Sequence, residues 1–509
     1  MAEFQSRASF GFRFVLRWLL SILLLVSTFT CTASASTGSS VHHSPLTGDV
    51  VNFFGKVPAS NNATGRANAT ASRNRYLPPP SKDAWYAPPA GWESTKPGTV
   101  LRTRPHAYPT INIRNAVDTF QVLYRTSDSH SNASWSVATV FIPKSHANCV
   151  LNTTSPAYNA NACAHALVAY EVPSDSADPD AAPSYLLQMR EPYGEMRDML
   201  ARGWFVLVPD YEGPNASFCA GVQAGHATLD ATRAVLSLAG PQLGLRTDAV
   251  KVGLWGYSGG AFAAEFAAEL AATYAPDLRI DASVIGGSSP NLTTVDERMN
   301  AKDTAGLVVT SILGITVQQP EARAFLLQQL HPTGPYNKTT FLNATTMTGA
   351  DALDAYSGQN VFDYFVNGRS DWANPAMQDV INADAVMGLH GVPRMPSFYY
   401  KAAHDEMSPV DETAEIVTSF CRQGANILFH RNTVGGHNDE LWSGRLRALD
   451  YLSAKLDGAV PADSTSNLTI PATGCATVDV TIALDPLYLL PDWWWTEGPG
   501  AGLGLMGAG

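Results

Sequence analysis

Charge is scarce in this 509-residue chain. Asp, Glu, Lys and Arg make up 15% of it, and the acids outnumber the bases 45 to 33. A formal net charge of −12 excludes a protein that grips nucleic acid through basic patches. A 45% hydrophobic content excludes a disordered chain and leaves enough apolar surface for a large core. Long apolar runs are also rare: after the first thirty residues nothing resembles a membrane-spanning helix. Internal repeats are missing. No G-x-G-x-x-G follows a first strand, there is no P-loop, and the histidines and acids lack metal-ligand spacing. Nucleotide and metal chemistry thus lose their usual sequence support, and no cofactor is expected.

What the N-terminus does contain is a targeting pattern. Arg7, Arg13 and Arg17 precede the apolar run "WLLSILLLVSTF" (Trp18–Phe29), and Ala33–Ala35 supplies small residues for cleavage. Residues 1–35 read as a signal peptide whose removal takes three Arg and one Glu, moving the net charge from −12 to −14. The competing reading, a retained anchor, suits a longer apolar run. Secretion is expected, with no stable membrane span after cleavage. Nine N-x-S/T sequons fit a glycosylated surface: Asn62, Asn68, Asn132, Asn152, Asn215, Asn291, Asn337, Asn343 and Asn467. Cysteine is sparse, at six residues, and Cys31 leaves with the signal. In an oxidising compartment Cys149 with Cys163 closes a short polar loop. Cys421 with Cys475 ties down the C-terminal extension and leaves Cys219 odd, although other connectivities stay open.

Residues 36–110, rich in Ser, Asn, Pro and Gly, read as an irregular arm. Strands follow near Phe120–Arg125, Trp135–Ile142 and His165–Ser174. A helix over Tyr185–Gly203 leads into the continuous apolar run Trp204–Tyr211. "HATLDATRAVLSLAG", opened by His226, is the next helix, and "IDASVIGGSS" (Ile280–Ser289) a further strand. Short apolar strands alternating with amphipathic helices predict a mostly parallel sheet flanked by helices. Residues 111–289 are the first part of that core. The rhythm breaks at 290–390, where helical stretches such as "PEARAFLLQQL" suggest an inserted cap or lid. It resumes over 391–460, and 461–509 form an extension ending in the Trp-rich "LPDWWWTEGPGAGLGLMGAG".

One short stretch carries the chemistry. "VKVGLWGYSGGAFAAEFAAEL" sets Ser258 on a tight turn between a buried strand and an Ala-rich helix. Gly256-Tyr257-Ser258-Gly259-Gly260 fits a nucleophile elbow, in which the serine is strained and the glycines at 256 and 260 give room. The Gly259 N–H, at the start of the helix, is a natural donor to an oxyanion. A glycine-rich turn with a capping serine is the alternative, and the strand before and helix after argue against it. In chain order the base and its acid should follow the serine. Asp405 lies just beyond the strand of "FYYKAAHDEMSP", and His437 just beyond that of "NILFHRNTVGGHND". Other candidates fit less well. Glu406 should point away. Asp411 sits in a first helical turn. His404 and His430 belong to surface or core, His226 precedes the serine, and Asp439 follows the base too closely. "DYE" at 210–212 is expected to shape a loop.

These pieces resemble the fungal secretory lipases, lipase-A-like members of the α/β-hydrolase fold. The likeness rests on "GYSGG", "VLVPDYEGP" (Val206–Pro214), "HDEMSP" (His404–Pro409) and "GANILFHRNTVGGH" (Gly424–His437), within about Asp118 to Leu456. It implies a triad of Ser258, Asp405 and His437, and an oxyanion hole completed by Asp175 in "PSDSADPDAAPS". It also implies lipid or ester substrates, met at a lipid–water interface by a monomer. Ala182 stands where a cysteine often occurs in the family, so the family's disulfides do not carry over whole. The same triad would serve a small-ester esterase, an acyltransferase or a serine peptidase. A silent binding protein of this fold is the rival from another class.

Overall fold

A computed structural model describes residues 77–105, 115–149, 163–188, 193–239, 243–246 and 250–483. The expected signal sequence, the sequons at Asn62, Asn68 and Asn152, and the Trp-rich tail lie outside the described residues.

Among the described residues ten strands make one sheet: β1 (Val100–Pro105), β2 (Ala116–Ser127), β3 (Ala133–Pro143), β4 (Ala166–Glu171), β5 (Phe205–Pro209), β6 (Lys251–Tyr257), β7 (Ala282–Gly286), β8 (Ser397–Ala402), β9 (Ile427–Asn432) and β10 (Ala476–Val480). Their order is β1-β2-β3-β5-β4-β6-β7-β8-β9-β10. Pairings from β1 through β3 to β5 are antiparallel; those from β5 through β4 to β10 are parallel. Parallel strands need crossovers, and the crossovers place helices on both faces, so β4, β5, β7 and β8 are buried along their whole length.

Alternation divides each strand between two cores. Val168, Trp255 and Phe398 face helices α1 (Gly194–Ala201) and α9 (His437–Leu456). Leu167, Leu207 and Leu254 face α2 (Gly221–Ser237) and α3 (Gly259–Tyr274). Each fully buried leucine contributes about 1.5–3 kcal/mol of transfer free energy. Helix α8 (Val410–Arg422) covers the sheet beside β8 and β9.

Between β7 and β8 the chain folds into helices, including α4 (Leu292–Met299), α5 (Ala305–Thr316), α6 (Pro320–Gln329) and α7 (Pro375–Asp384). Every residue of α5 is buried. It is the axis of a separate apolar core that includes Phe341, Trp372 and Ile381. That core also takes in Ala177, Phe218 and Phe262, from loops and a helix of the sheet domain. Side-chain caps start α4 at Asn291 and α7 at Asn374, where the amide oxygens accept from Thr293 and Ala376 N–H.

Three elements differ from the sequence expectation. Helix α2 starts at Gly221, five residues before His226. Gly221 and Gly225 look like breakers, but a Cβ at 221 would fall 2.4 Å from the Phe266 ring, so glycine there lets α2 lie against α3. The arm read as irregular contributes β1, which pairs with β2. In the run expected as one helix over 185–203, the described residues hold the helices Pro183–Leu186 and α1, and Leu187 and Gln188 leave the first. Two disulfides, Cys149–Cys163 and Cys421–Cys475, form as the spacing suggested, and Cys219 is a buried free thiol.

Candidate active site

Strand β6 ends at Tyr257 and α3 begins at Gly259, so Ser258 alone makes the turn, at φ 55° and ψ −121°. A non-glycine residue with such a φ stores on the order of 1–3 kcal/mol of strain. Its surroundings hold it there. Ser258 N–H donates to Gly286 O (2.9 Å), and Phe262 N–H donates to Ser258 O (3.0 Å). A Cβ on Gly256 would lie 2.1 Å from Gly260 O, and one on Gly260 would lie 1.9 Å from Glu171 O. Room is therefore the physical reason for both glycines. The Ala-rich sequence of α3 favours helix, and Pro276 lies just past its end.

Beyond β8 the loop carries Asp405 into the interior, 5% exposed. Its Oδ1 accepts from Met407 and Ser408 N–H, each at 2.9 Å. Its Oδ2 faces His437 Nδ1 at 2.8 Å and Lys401 Nζ at 3.1 Å. Burial alone would raise this carboxyl's pKa. The hydrogen bond and charge of His437, then Lys401 and the Ser408 N–H, outweigh it and hold Asp405 well below the usual carboxylate range.

His437, also buried, opens α9. An ionised carboxylate only accepts, so Nδ1 carries the proton given to Asp405. That leaves the Nε2 lone pair for the Ser258 hydroxyl, 2.9 Å away. The backbone is fixed as well: His437 N–H donates to Glu406 Oε2 (2.9 Å), and Tyr257 OH donates to His437 O (2.5 Å).

Asp175 follows β4 at φ 53°. Its Oδ1 is buried without a hydrogen-bond partner among the described residues and lies against Gly259. Burial pushes the carboxyl up to about 6, although the nearby His437 pulls the other way. Burial, reinforced by Asp175, likewise raises Glu212 well above the carboxylate range. The insertion touches this loop directly, because Ser176 Oγ donates to Met347 O at 2.8 Å.

The structure thus brings Ser258, His437 and Asp405 into one hydrogen-bonded chain, with Gly259 and Asp175 beside it. Glu406, expected to point away, instead turns back to accept from the His437 N–H. The remaining candidates lie elsewhere. His404 is exposed. His430 packs edge-on against Phe398, and His226 stacks on Tyr274. Asp439 Oδ2 accepts from Gly436 N–H, and Asp411 sits in the first turn of α8. Asp210 accepts from both the N–H and hydroxyl of Ser184, which shapes the loop after β5. Sequence reasoning missed Lys401 and the role of Glu406. The one signal for Lys401 was a charged residue inside the apolar strand "SFYYKA". Among the described residues no His, Cys, Asp and Glu cluster is arranged to hold a metal ion. Nor, among them, is any helix long and apolar enough to cross a membrane.

A mostly parallel sheet flanked by helices, with a strained serine between a central strand and its helix, defines the α/β-hydrolase fold. The match is specific within it: residues 192–464 fit the secretory lipase family. The chain is 40% identical over 410 residues to a trichothecene C-3 esterase of Fusarium sporotrichioides, covering 79% of this chain and 88% of that one. It is 35% identical to lipase A of Arthroderma benhamiae, covering 75% and 80%. Among solved structures, Candida antarctica lipase A in its closed state is similar, with a TM-score of 0.65 and 26% identity over 79% of this chain and 91% of that one. This chain belongs to the secretory lipase family and is a carboxylic ester hydrolase.

Proposed function

We propose that this protein cleaves its ester through an acyl-enzyme formed on Ser258, and that triacylglycerols are among its substrates. The observation that carries the reading is the chain from Ser258 Oγ to His437 Nε2 (2.9 Å) and from His437 Nδ1 to Asp405 Oδ2 (2.8 Å). His437 takes the hydroxyl proton as Oγ bonds to the ester carbonyl carbon. Asp405 fixes the tautomer and stabilises the imidazolium. The carbonyl oxygen becomes an oxyanion, held by Gly259 N–H and by Asp175, whose buried carboxyl is a donor when protonated. The tetrahedral intermediate collapses, the C–O bond breaks, and the leaving alcohol takes the proton from His437. Water then repeats the cycle and frees the acid.

Secretion, action as a monomer and contact with a lipid–water interface belong to the same reading. A second reading has support in the relatives: the 40% identical trichothecene C-3 esterase suggests a trichothecene ester instead of a triglyceride.

The test is active-site labelling with a fluorophosphonate. The label is expected on Ser258, lost in Ser258→Ala and slowed at least about 100-fold in His437→Ala, with His404→Ala labelled normally. Stoichiometric label on another serine would overturn the assignment.

A further inference from the structure

Lys401 stands in β8 with its side chain 1% exposed. A buried ammonium is costly unless paired and hydrogen-bonded, and here it has both. Nζ lies 3.1 Å from Asp405 Oδ2, the same oxygen that accepts from His437 Nδ1. It also donates to Ser288 O at 2.5 Å, in the segment where the chain leaves β7 for the helical insertion. Ser408 Oγ donates to that same carbonyl, and the Ser288 hydroxyl bonds Thr413 of α8. The ammonium therefore joins the acid's loop to the root of the insertion. The charged groups facing it are Asp405 from its own loop, Glu412 from α8 and Arg298 from α4. His437 of α9 lies on the far side of Asp405, with Glu406 on the histidine's backbone.

We propose that Lys401 is a positioning residue for the reaction: its ammonium aims Asp405 at His437 and offsets the carboxylate's charge. This rests on the reading of Asp405 as the triad acid. With Lys401 in place, the ammonium, carboxylate and neutral imidazole together carry no net charge; the other acids near His437 are Glu406, on its backbone N–H, and Asp175. Without it, a buried negative charge would draw a proton onto His437 and remove the base. The ammonium is no more than about 6 Å from Nδ1. At an effective dielectric constant of about 20, a charge at that range shifts a protonation equilibrium by about two pH units, and by less where solvent screens it. A residue that merely filled space would be replaced by methionine without that effect.

The experiment measures kcat and KM against pH on a p-nitrophenyl ester, with folding checked by near-ultraviolet circular dichroism. The variants are Lys401→Met, Lys401→Arg, Asp405→Asn and the Lys401→Met/Asp405→Asn double. In Lys401→Met the acid limb is expected to move up by about one pH unit or more. Its kcat on that limb should fall at least about tenfold while KM stays within about twofold. Lys401→Arg is expected to return the limb toward its original position. If Lys401 acts through Asp405, the double variant should match Asp405→Asn within about twofold. A folded Lys401→Met with an unmoved acid limb would overturn the proposal. So would a double variant falling a further tenfold or so below Asp405→Asn. That comparison decides alone if Lys401→Met does not fold, because the double variant buries no unpaired charge. Full activity in Asp405→Asn would instead remove the triad assignment on which the proposal rests.

Discussion

A Cβ on residue 259 would fall 1.9 Å from Asp175 Oδ1. The first residue of α3 and the buried acid after β4 are thus packed backbone against carboxyl, which leaves glycine as the residue that fits. Asp175→Ala is expected to lower kcat by roughly 10²-fold or more with little change in KM, because an oxyanion donor acts on charge that develops in the transition state. Asp175→Asn should retain more activity, since its amide donates whatever the pH. The sign of the pH effect follows from the raised carboxyl. Its value of about 6 means that the protonated donor is present below pH 6 and lost above it. The ratio of Asn-variant to wild-type kcat should therefore rise with pH. A change confined to KM would move Asp175 into the binding pocket.

Ser258 holds φ 55°, a conformation that glycine adopts freely and alanine does not. Ser258→Ala and Ser258→Gly should both lose turnover, by roughly 10⁴ to 10⁶. They should differ in stability, with the glycine variant more stable than the alanine variant by about 1 kcal/mol in denaturant melts. Equal stability would mean that the elbow is unstrained, and substantial turnover in either folded variant would remove the nucleophile.

The chain's order of strands and helices was legible because buried parallel strands announce themselves as apolar runs. "WFVLVPDY" and "ASVIG" needed no partner information to be read. Ser258, Asp405 and His437, the triad proposed above, could be picked out because each lies just past a strand end, and chain order excludes most rivals. The start of α2 at Gly221 was not legible, because the sequence shows a glycine but not the α3 backbone and Phe266 ring that require it. β1 was hidden because its six residues are only partly buried and lack an alternating pattern. Lys401 was hidden for a related reason. A charge inside an apolar strand marks the position, but its contacts with Asp405 Oδ2 and Ser288 O are not visible in the sequence.

Glu171 ends β4 fully buried beneath the elbow, and burial pushes its carboxyl up to about 8. The folded value exceeds the unfolded one of about 4.5, so between those values the folded state binds the extra proton. Its contribution to stability is then present at low pH and lost as pH rises toward 8. Glu171→Gln is neutral throughout. The variant should melt higher than wild type at pH 8, by an amount on the order of a few kcal/mol, and differ little near pH 4.5. Thermal melts at both pH values check this. A difference independent of pH would mean that Glu171 stays charged in the fold.

Substrate length separates the two readings of the activity. The insertion between β7 and β8 brings apolar residues such as Leu307, Val308 and Leu326 into one core with Phe262, one helical turn beyond the serine. Some of that surface only stabilises the insertion itself. A lipase needs more, because a long acyl chain must leave water, and each buried methylene contributes about 0.8 kcal/mol. If the insertion receives the chain, part of that energy appears in kcat/KM, which should rise as the ester's acyl chain grows from acetate to medium or long chains. Emulsified triacylglycerol should then be cleaved. The measurement is a p-nitrophenyl ester series and a triglyceride emulsion, both with the purified protein. A sharp optimum at acetate without triglyceride cleavage would leave Ser258, Asp405 and His437 in their roles. It would transfer the assignment to an esterase that does not act on triglycerides.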